Sequence, residues 1–340
     1  VNAVDPLTPG VPEDRSSALL EELQDDFPLH RRPFRLIGGR CGLSEAQTLR
    51  AVREMLSEGL IREIAALLDG RALGYGSTLV ALRAPEQRIE TVVERINRHR
   101  GVSHNYLRDH RYNIWFTLSV PREQDLAGAV QQIVDGAAAE ILILPALHTF
   151  KLRVHLPVSQ QRRGRREVRE EGRSGSEGSV FREPEPLSAF ERILLARLEN
   201  PLPPEARPWT AVASGLAVTE SRLFAAVKSL KARGVIRRIS AVLRHREVGF
   251  TANAMACFRV SGQMQEAGRK AASNPAVSHC YLRKSYPQWP YSLYAMIHAR
   301  SREECEARLR EISRAIGCPD HQILYSLREF KKQRIKYFEE

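Results

Sequence analysis

No stretch of this 340-residue chain approaches the roughly 18–20 apolar residues that a membrane helix needs. The longest apolar patch, Ala137 to Leu147, is interrupted by Glu140 and Pro145. The first residues, Val1-Asn-Ala-Val-Asp-Pro6, lack the basic start and apolar core of a secretory signal. Cysteines are few. The five present are odd in number and scattered, and no two form C-x-x-C. That spacing excludes a disulfide scaffold and a cysteine-based structural zinc site. These absences lead us to expect a cytoplasmic globular protein with no membrane partner.

Positive charge is plentiful, with 52 Lys+Arg against 40 Asp+Glu and a formal net charge of +12. Such a balance serves any polyanionic partner, nucleic acid included. Part of it sits in one stretch: Gln160–Gly175 carries Arg162, Arg163, Arg165, Arg166, Arg169 and Arg173, is polar, and has no apolar periodicity. It is read as a solvated connector.

The chain is written twice. At an offset of 175, Gly59-Leu-Ile-Arg-Glu-Ile-Ala-Ala-Leu-Leu68 falls on Gly234-Val-Ile-Arg-Arg-Ile-Ser-Ala-Val-Leu243. Val102-Ser-His-Asn-Tyr-Leu-Arg108 falls on Val277-Ser-His-Cys-Tyr-Leu-Arg283, identical at all but one position. A repeat this long is a tandem of whole domains, expected to pack as an intramolecular pseudo-dimer.

Each copy opens with helix signals. Ser44-Glu-Ala-Gln47 and Ser188-Ala-Phe-Glu191 are capping boxes, Pro33 and Pro208 mark short helices, and Gly59 and Gly234 are C-terminal stops. Three helices before a β-hairpin (Ile61–Leu68, Ile236–Leu243) read as a winged helix-turn-helix. The remainder alternates β-α-β-β-α-β, the ferredoxin-like order. The fold class is therefore α+β: a duplicated winged helix-turn-helix plus ferredoxin-like (βαββαβ) sandwich. The expected boundaries are a disordered tail at 1–16, copy 1 at 17–75 and 76–156, a linker at 157–186, and copy 2 at 187–250 and 251–340. The two sheets are expected to face one another around a cavity.

Strand alternation puts His104, Tyr106 and Arg108 on one sheet face, and likewise His279, Tyr281 and Arg283. Three polar groups on one face make a poor core and a good site wall. Other cations recur in pairs, Arg62 with Arg237 and Arg71 with Arg246, while Arg238 and Arg244 belong to the second copy alone. His110 lies just beyond the first wall, and His245 sits where the first copy has Gly70.

The run Gly59-Leu-Ile-Arg62 through Leu73-Gly74 resembles the Lrp/AsnC transcription regulators. The strings Val102-Ser-His-Asn-Tyr-Leu-Arg-Asp-His110 and Ser278-His-Cys-Tyr-Leu-Arg283 instead resemble the siroheme decarboxylases, which share that fold. Asp69-Gly-Arg71-Ala-Leu-Gly-Tyr75 is similar to one subunit type of that family and Leu243-Arg-His-Arg246 to the other, so the chain looks like a fusion of both. The resemblance implies removal of the carboxyl groups of two siroheme acetates, giving 12,18-didecarboxysiroheme for haem d1 or alternative haem synthesis. It implies His104 and His279 as proton donors. Tyr106, Arg108, His110, Arg62, Arg71, Arg237, Arg238, Arg244, His245, Arg246, Tyr281 and Arg283 are then expected to bind substrate, with His245 the candidate ligand to siroheme iron. No cofactor beyond the iron tetrapyrrole and no protein-held metal is expected, and further homo-oligomers are compatible with it. The rival readings are a DNA-binding regulator and a non-catalytic tetrapyrrole sensor. The recognition-helix candidates are unequal in charge, acidic in copy 1 and basic in copy 2, which disfavours reading a palindromic operator.

Overall fold

The computed structural model describes residues 13–136, 140–152, 185–243 and 252–338. The first copy runs α1 (Glu13–Gln24), α2 (Pro33–Arg40), α3 (Glu45–Ser57), β1 (Ile61–Leu68), β2 (Tyr75–Arg83), α4 (Ile89–Arg98), β3 (Val102–Arg108), β4 (Ile114–Pro121), α5 (Leu126–Val134) and β5 (Glu140–Leu152). The second runs α6 (Ala189–Glu199), α7 (Pro208–Gly215), α8 (Glu220–Ala232), β6 (Ile236–Leu243), β7 (Ala252–Phe258), α9 (Met264–Ser273), β8 (Val277–Arg283), β9 (Leu293–Ala299), α10 (Arg302–Ile316) and β10 (His321–Lys332). Helix α1 begins inside the stretch expected to be a tail, and Ser16 is buried. Of the expected linker, only Glu185 and Pro186 are among the described residues; both carbonyls accept from Arg233.

The punctuation read from the sequence has its expected physical effect. Ser44 and Gln47 cap α3 reciprocally, as Ser188 and Glu191 cap α6. Pro33 and Pro208 occupy the first helical position, where a missing N–H costs nothing. Gly59 and Gly234 both adopt φ +75°, a left-handed conformation that ends the helix and turns the chain into β1 or β6.

The wings differ from the expectation. Ile61–Leu68 and Ile236–Leu243 are not two hairpins. Each is a single strand, and the two pair antiparallel across the copies, Ala65 opposite Ser240. Neither run contains the Gly, Asn or Asp that a tight hairpin turn demands, so each strand finds its partner in its twin. The helices follow suit: Leu19, Phe34 and Met55 share one core with Leu194, Trp209 and Leu230.

The remaining eight strands form one closed barrel in the order β10-β3-β4-β2-β5-β8-β9-β7. Within each copy the order is ferredoxin-like. The two sheets do face one another, and they are also hydrogen-bonded along both edges, β5 to β8 and β10 to β3. Closure leaves no unpaired edge. Outside, α4 and α5 cover the first half through Val92, Ile96 and Val130, and α9 and α10 the second through Ala271, Leu309 and Ile312. Inside, Ala81, Trp115, Leu142 and Leu144 meet Met255, Cys257, Tyr294 and Leu324. One end is plugged by Trp289, whose ring lies 5.5 Å from Trp115, 4.9 Å from Tyr291 and 5.9 Å from Tyr112. Beyond β10 the chain leaves the barrel. Arg334 grips Glu63 at 2.9 and 2.7 Å, and Glu199 accepts the Tyr337 and Phe338 N–H groups, tying the tail to the winged helices.

Candidate active site in the barrel interior

Strand register decides which side chains enter the barrel. His104 lies opposite Thr117 and Tyr106 opposite Trp115, an interior residue; His279 lies opposite Met296 and Tyr281 opposite Tyr294, also interior. Both walls therefore face inward as alternation predicts. A β-bulge precedes each histidine, skipping Ser103 between Val102 and His104 and Ser278 between Val277 and His279. Without it Val102, which packs under the outer helices, and His104 would share one face.

Each wall is a stacked ladder. His104 stacks on Tyr106 at 6.2 Å and Arg108 lies over Tyr106 at 5.4 Å; His279 stacks on Tyr281 at 6.3 Å and Arg283 lies over Tyr281 at 4.6 Å. The arginines stand deepest, 4% and 8% exposed. Arg108 Nη1 donates to the Leu324 carbonyl at 2.8 Å, and Arg283 Nη1 to the Leu144 carbonyl at 2.7 Å. Each thus crosses to the last strand of the other copy. Burial pushes both guanidinium groups below their usual range.

The histidines are held by their neighbours. Ser103 Oγ sits 2.9 Å from His104 Nδ1 and 2.6 Å from Thr117 Oγ1. Ser278 Oγ sits 2.9 Å from His279 Nδ1 and 2.8 Å from His298 Nε2. In both, a serine hydroxyl engages Nδ1 and fixes the ring. Burial, then the charges of Lys332 and Arg62, lower His104 to about 4.

The rim cations come from bulges too. Arg62 and Arg237 are the skipped residues in the β1–β6 pairing. Arg62 donates to the Lys332 carbonyl at 3.1 Å beside the first ladder. Arg237 pairs with Asp69 at 2.7 Å beside the second. Arg71 crosses from copy 1 to the second ladder, Nη2 3.5 Å from Thr149 Oγ1, and acts with Arg283 and Arg237 on the Tyr281 hydroxyl, which burial raises. Arg238 is half-buried on the neighbouring position of β6. His110 is not brought to the ladders: it stacks on Tyr112 at 5.9 Å and meets Trp289 at 5.2 Å, in the barrel plug past the end of β3. Arg244, His245 and Arg246 lie outside the described residues, so the expected iron ligand has no structural account. Sequence reasoning missed Ser103 and Ser278, although both sit in the duplicated Val-Ser-His string, and it missed Cys257 and Lys332, which no motif marked.

Both halves match two family models, one described as a siroheme decarboxylase NirDL-like HTH domain (residues 16–62 and 191–237) and one as an AsnC-like ligand binding domain (72–151 and 247–331). The siroheme decarboxylase of Hydrogenobacter thermophilus is 35% identical over 325 residues, covering 95% of this chain and 94% of that protein. The chain belongs to the siroheme decarboxylase family. A crystal structure of the siroheme decarboxylase NirDL superposes with a TM-score of 0.71 at 32% identity, covering 96% of this chain and 94% of the other. A second, of NirDL in complex with an iron-uroporphyrin III analogue, superposes with a TM-score of 0.70 at 32% identity, covering 96% and 95%. Those matches extend across both copies of the repeat. Among the described residues, no helix is long and apolar enough to cross a membrane, and no cluster of acidic, His and Cys side chains could hold a metal ion.

Proposed function

We propose that this chain is a carboxy-lyase that removes the carboxyl groups of two siroheme acetates, giving 12,18-didecarboxysiroheme and CO2 for haem d1 or alternative haem synthesis. Family membership supports the reaction class, and a relative crystallised with an iron-uroporphyrin III analogue supports the ligand class. The observation that carries the reading on this chain is the ladder pair: two buried guanidinium groups, two phenols and two imidazoles projecting into one barrel from opposite copies. Paired guanidinium groups beside aromatic rings suit a flat pigment fringed with carboxylates.

In this reading Arg62, Arg71 and Arg237 receive carboxylates at the rim, and Arg108 and Arg283 receive them at depth. Orientation and a dry surround come from the Tyr106 and Tyr281 stacks. As the bond from the acetate methylene to its carboxyl breaks, its electron pair passes into the conjugated macrocycle and CO2 departs. A proton from the imidazolium of His104 or His279 then completes the methyl group. His104 is neutral at pH 7 in the free protein; a carboxylate arriving beside it raises it toward the donor form. The macrocycle itself delocalises the charge, so the step calls for no cofactor beyond the substrate.

The DNA-reading alternative is disfavoured. The first residue of each recognition helix is engaged within the chain, Glu45 by Arg32 and Glu220 by Arg31, where a reader would present that turn to base edges. Anaerobic incubation with siroheme is expected to release CO2 and yield a macrocycle lighter by two CO2. His104→Ala and His279→Ala are expected to bind the pigment and lose turnover. A salt-sensitive shift of specific DNA without turnover would refute this reading.

A further inference from the structure

The two ladder histidines hold the same place in their strands and have different chemistry behind them. Ser103 links His104 Nδ1 to a second hydroxyl, Thr117 Oγ1, at 2.6 Å. A threonine hydroxyl does not ionise near neutral pH, so it is no source of a proton. Ser278 links His279 Nδ1 to a second imidazole, His298 Nε2, at 2.8 Å. The register explains the difference. Met296 fills the place of Thr117, opposite the ladder histidine, and brings no hydroxyl. His298 fills the place of Ser119: its N–H donates to the Ala276 carbonyl as that of Ser119 donates to the Gly101 carbonyl.

The joining hydroxyl is shielded, with Ser278 7% exposed. The Met296 carbonyl lies 3.5 Å from its Oγ, at the limit of hydrogen bonding, and competes weakly for the hydroxyl proton. Met296 packs with the interior cluster and Ile297 with the outer one, so alternation turns His298 inward. Strand β9 starts beside the plug, where the Trp289 indole donates to the Tyr294 hydroxyl, and His298 lies near its other end, half-buried. In the proposed function a macrocycle lying against the ladder covers His279 from water, while its carboxylates favour a charged imidazole. The proton then has to reach His279 from behind, and Ser278 and His298 stand there.

We propose that His298 supplies protons to His279 through Ser278, a relay that serves the second ladder alone. The inference rests on the proposed function. The Ser278 hydroxyl gives its proton to His279 Nδ1 as it takes one from His298 Nε2. The His279 imidazolium protonates the methylene left by CO2, and His298 recovers its proton from solvent. In sum, one acetate carboxylate and one proton become a methyl group and CO2, with no oxidant or reductant. His298 acts through another residue, where the first ladder ends on Thr117 and offers no such supply.

The test follows the two carboxyl losses separately, by quenched-flow mass analysis of the macrocycle. His298→Gln keeps a hydrogen-bonding partner for Ser278 and carries no transferable ring proton. Its KM for siroheme is expected to match wild type. One CO2 leaves at the wild-type rate and the other about tenfold more slowly, so a macrocycle lighter by one CO2 accumulates. Ser278→Ala is expected to give the same pattern, and the double variant to be no slower than either, as for two members of one path. Equal slowing of both losses, wild-type behaviour in His298→Gln, or a double variant slower than either single one overturns the relay. A wild type that decarboxylates siroheme alongside such an outcome leaves the proposed function standing, whereas a wild type that releases no CO2 removes both.

Discussion

His104 and His279 occupy equivalent positions and have unequal surroundings. Lys332 lies opposite His104 across the β10–β3 pairing, where Leu152 lies opposite His279 across β5–β8. Burial first, then Lys332 and Arg62, hold the His104 imidazole at about 4. This depression has a stability consequence with a definite sign. Between about pH 6.5 and pH 4 the unfolded chain binds a proton that the folded chain refuses, so stability falls as pH drops through that window. His99 and His110, both lowered chiefly by burial, add to the same limb. Thermal melts across the window are expected to fall more gently for His104→Gln than for wild type. Parallel curves would show that His104 titrates normally.

Bulges do the positioning at the scale of the element. Four of them, at Arg62, Ser103, Arg237 and Ser278, each turn a polar residue toward the site or hold one that points there. The alternation of His, Tyr and Arg along β3 and β8 was legible in the sequence because a strand has a period of two. The bulge before it was not, since one extra residue leaves no mark in composition or pattern. Ser278 matters for what it joins: its hydroxyl spans His279 and His298, whereas Ser103 joins His104 to Thr117. Ser278→Ala is expected to lower kcat about tenfold by freeing the His279 ring, with tetrapyrrole affinity retained. An unchanged kcat in steady-state assays would show that packing alone orients the ring.

Across the whole molecule, two seams lock the copies together. Strands β5 and β8, and β10 and β3, close the barrel, while β1 and β6 build the shared wing sheet. Side chains reinforce the exchange: Phe150 packs under the helices of the second copy and Phe330 under those of the first. Lys331 Nζ caps the end of α4 through the Asn97 and His99 carbonyls, and Lys151 Nζ bonds the Asn274 carbonyl that follows α9. Cleavage between residues 157 and 184 is therefore expected to give two fragments that elute as one species on native gel filtration and separate only in denaturant. Spontaneous dissociation would mean that the covalent connection, rather than the barrel, holds the copies together.

The sequence alone determined the duplication, the capped helices, the βαββαβ order and the face shared by His104, Tyr106 and Arg108, because each is a local or periodic property carried by neighbouring residues. It could not say which copy a strand would pair with, since similar repeats offer near-equivalent partners. Tertiary structure decided that β1 pairs with β6, that Arg71 serves the opposite ladder, that His110 belongs to the barrel plug, and that Arg108 and Arg283 each bond the last strand of the other copy. Those outcomes follow from edge closure and from the narrow interior of an eight-stranded barrel, which exist only once both copies have folded against each other.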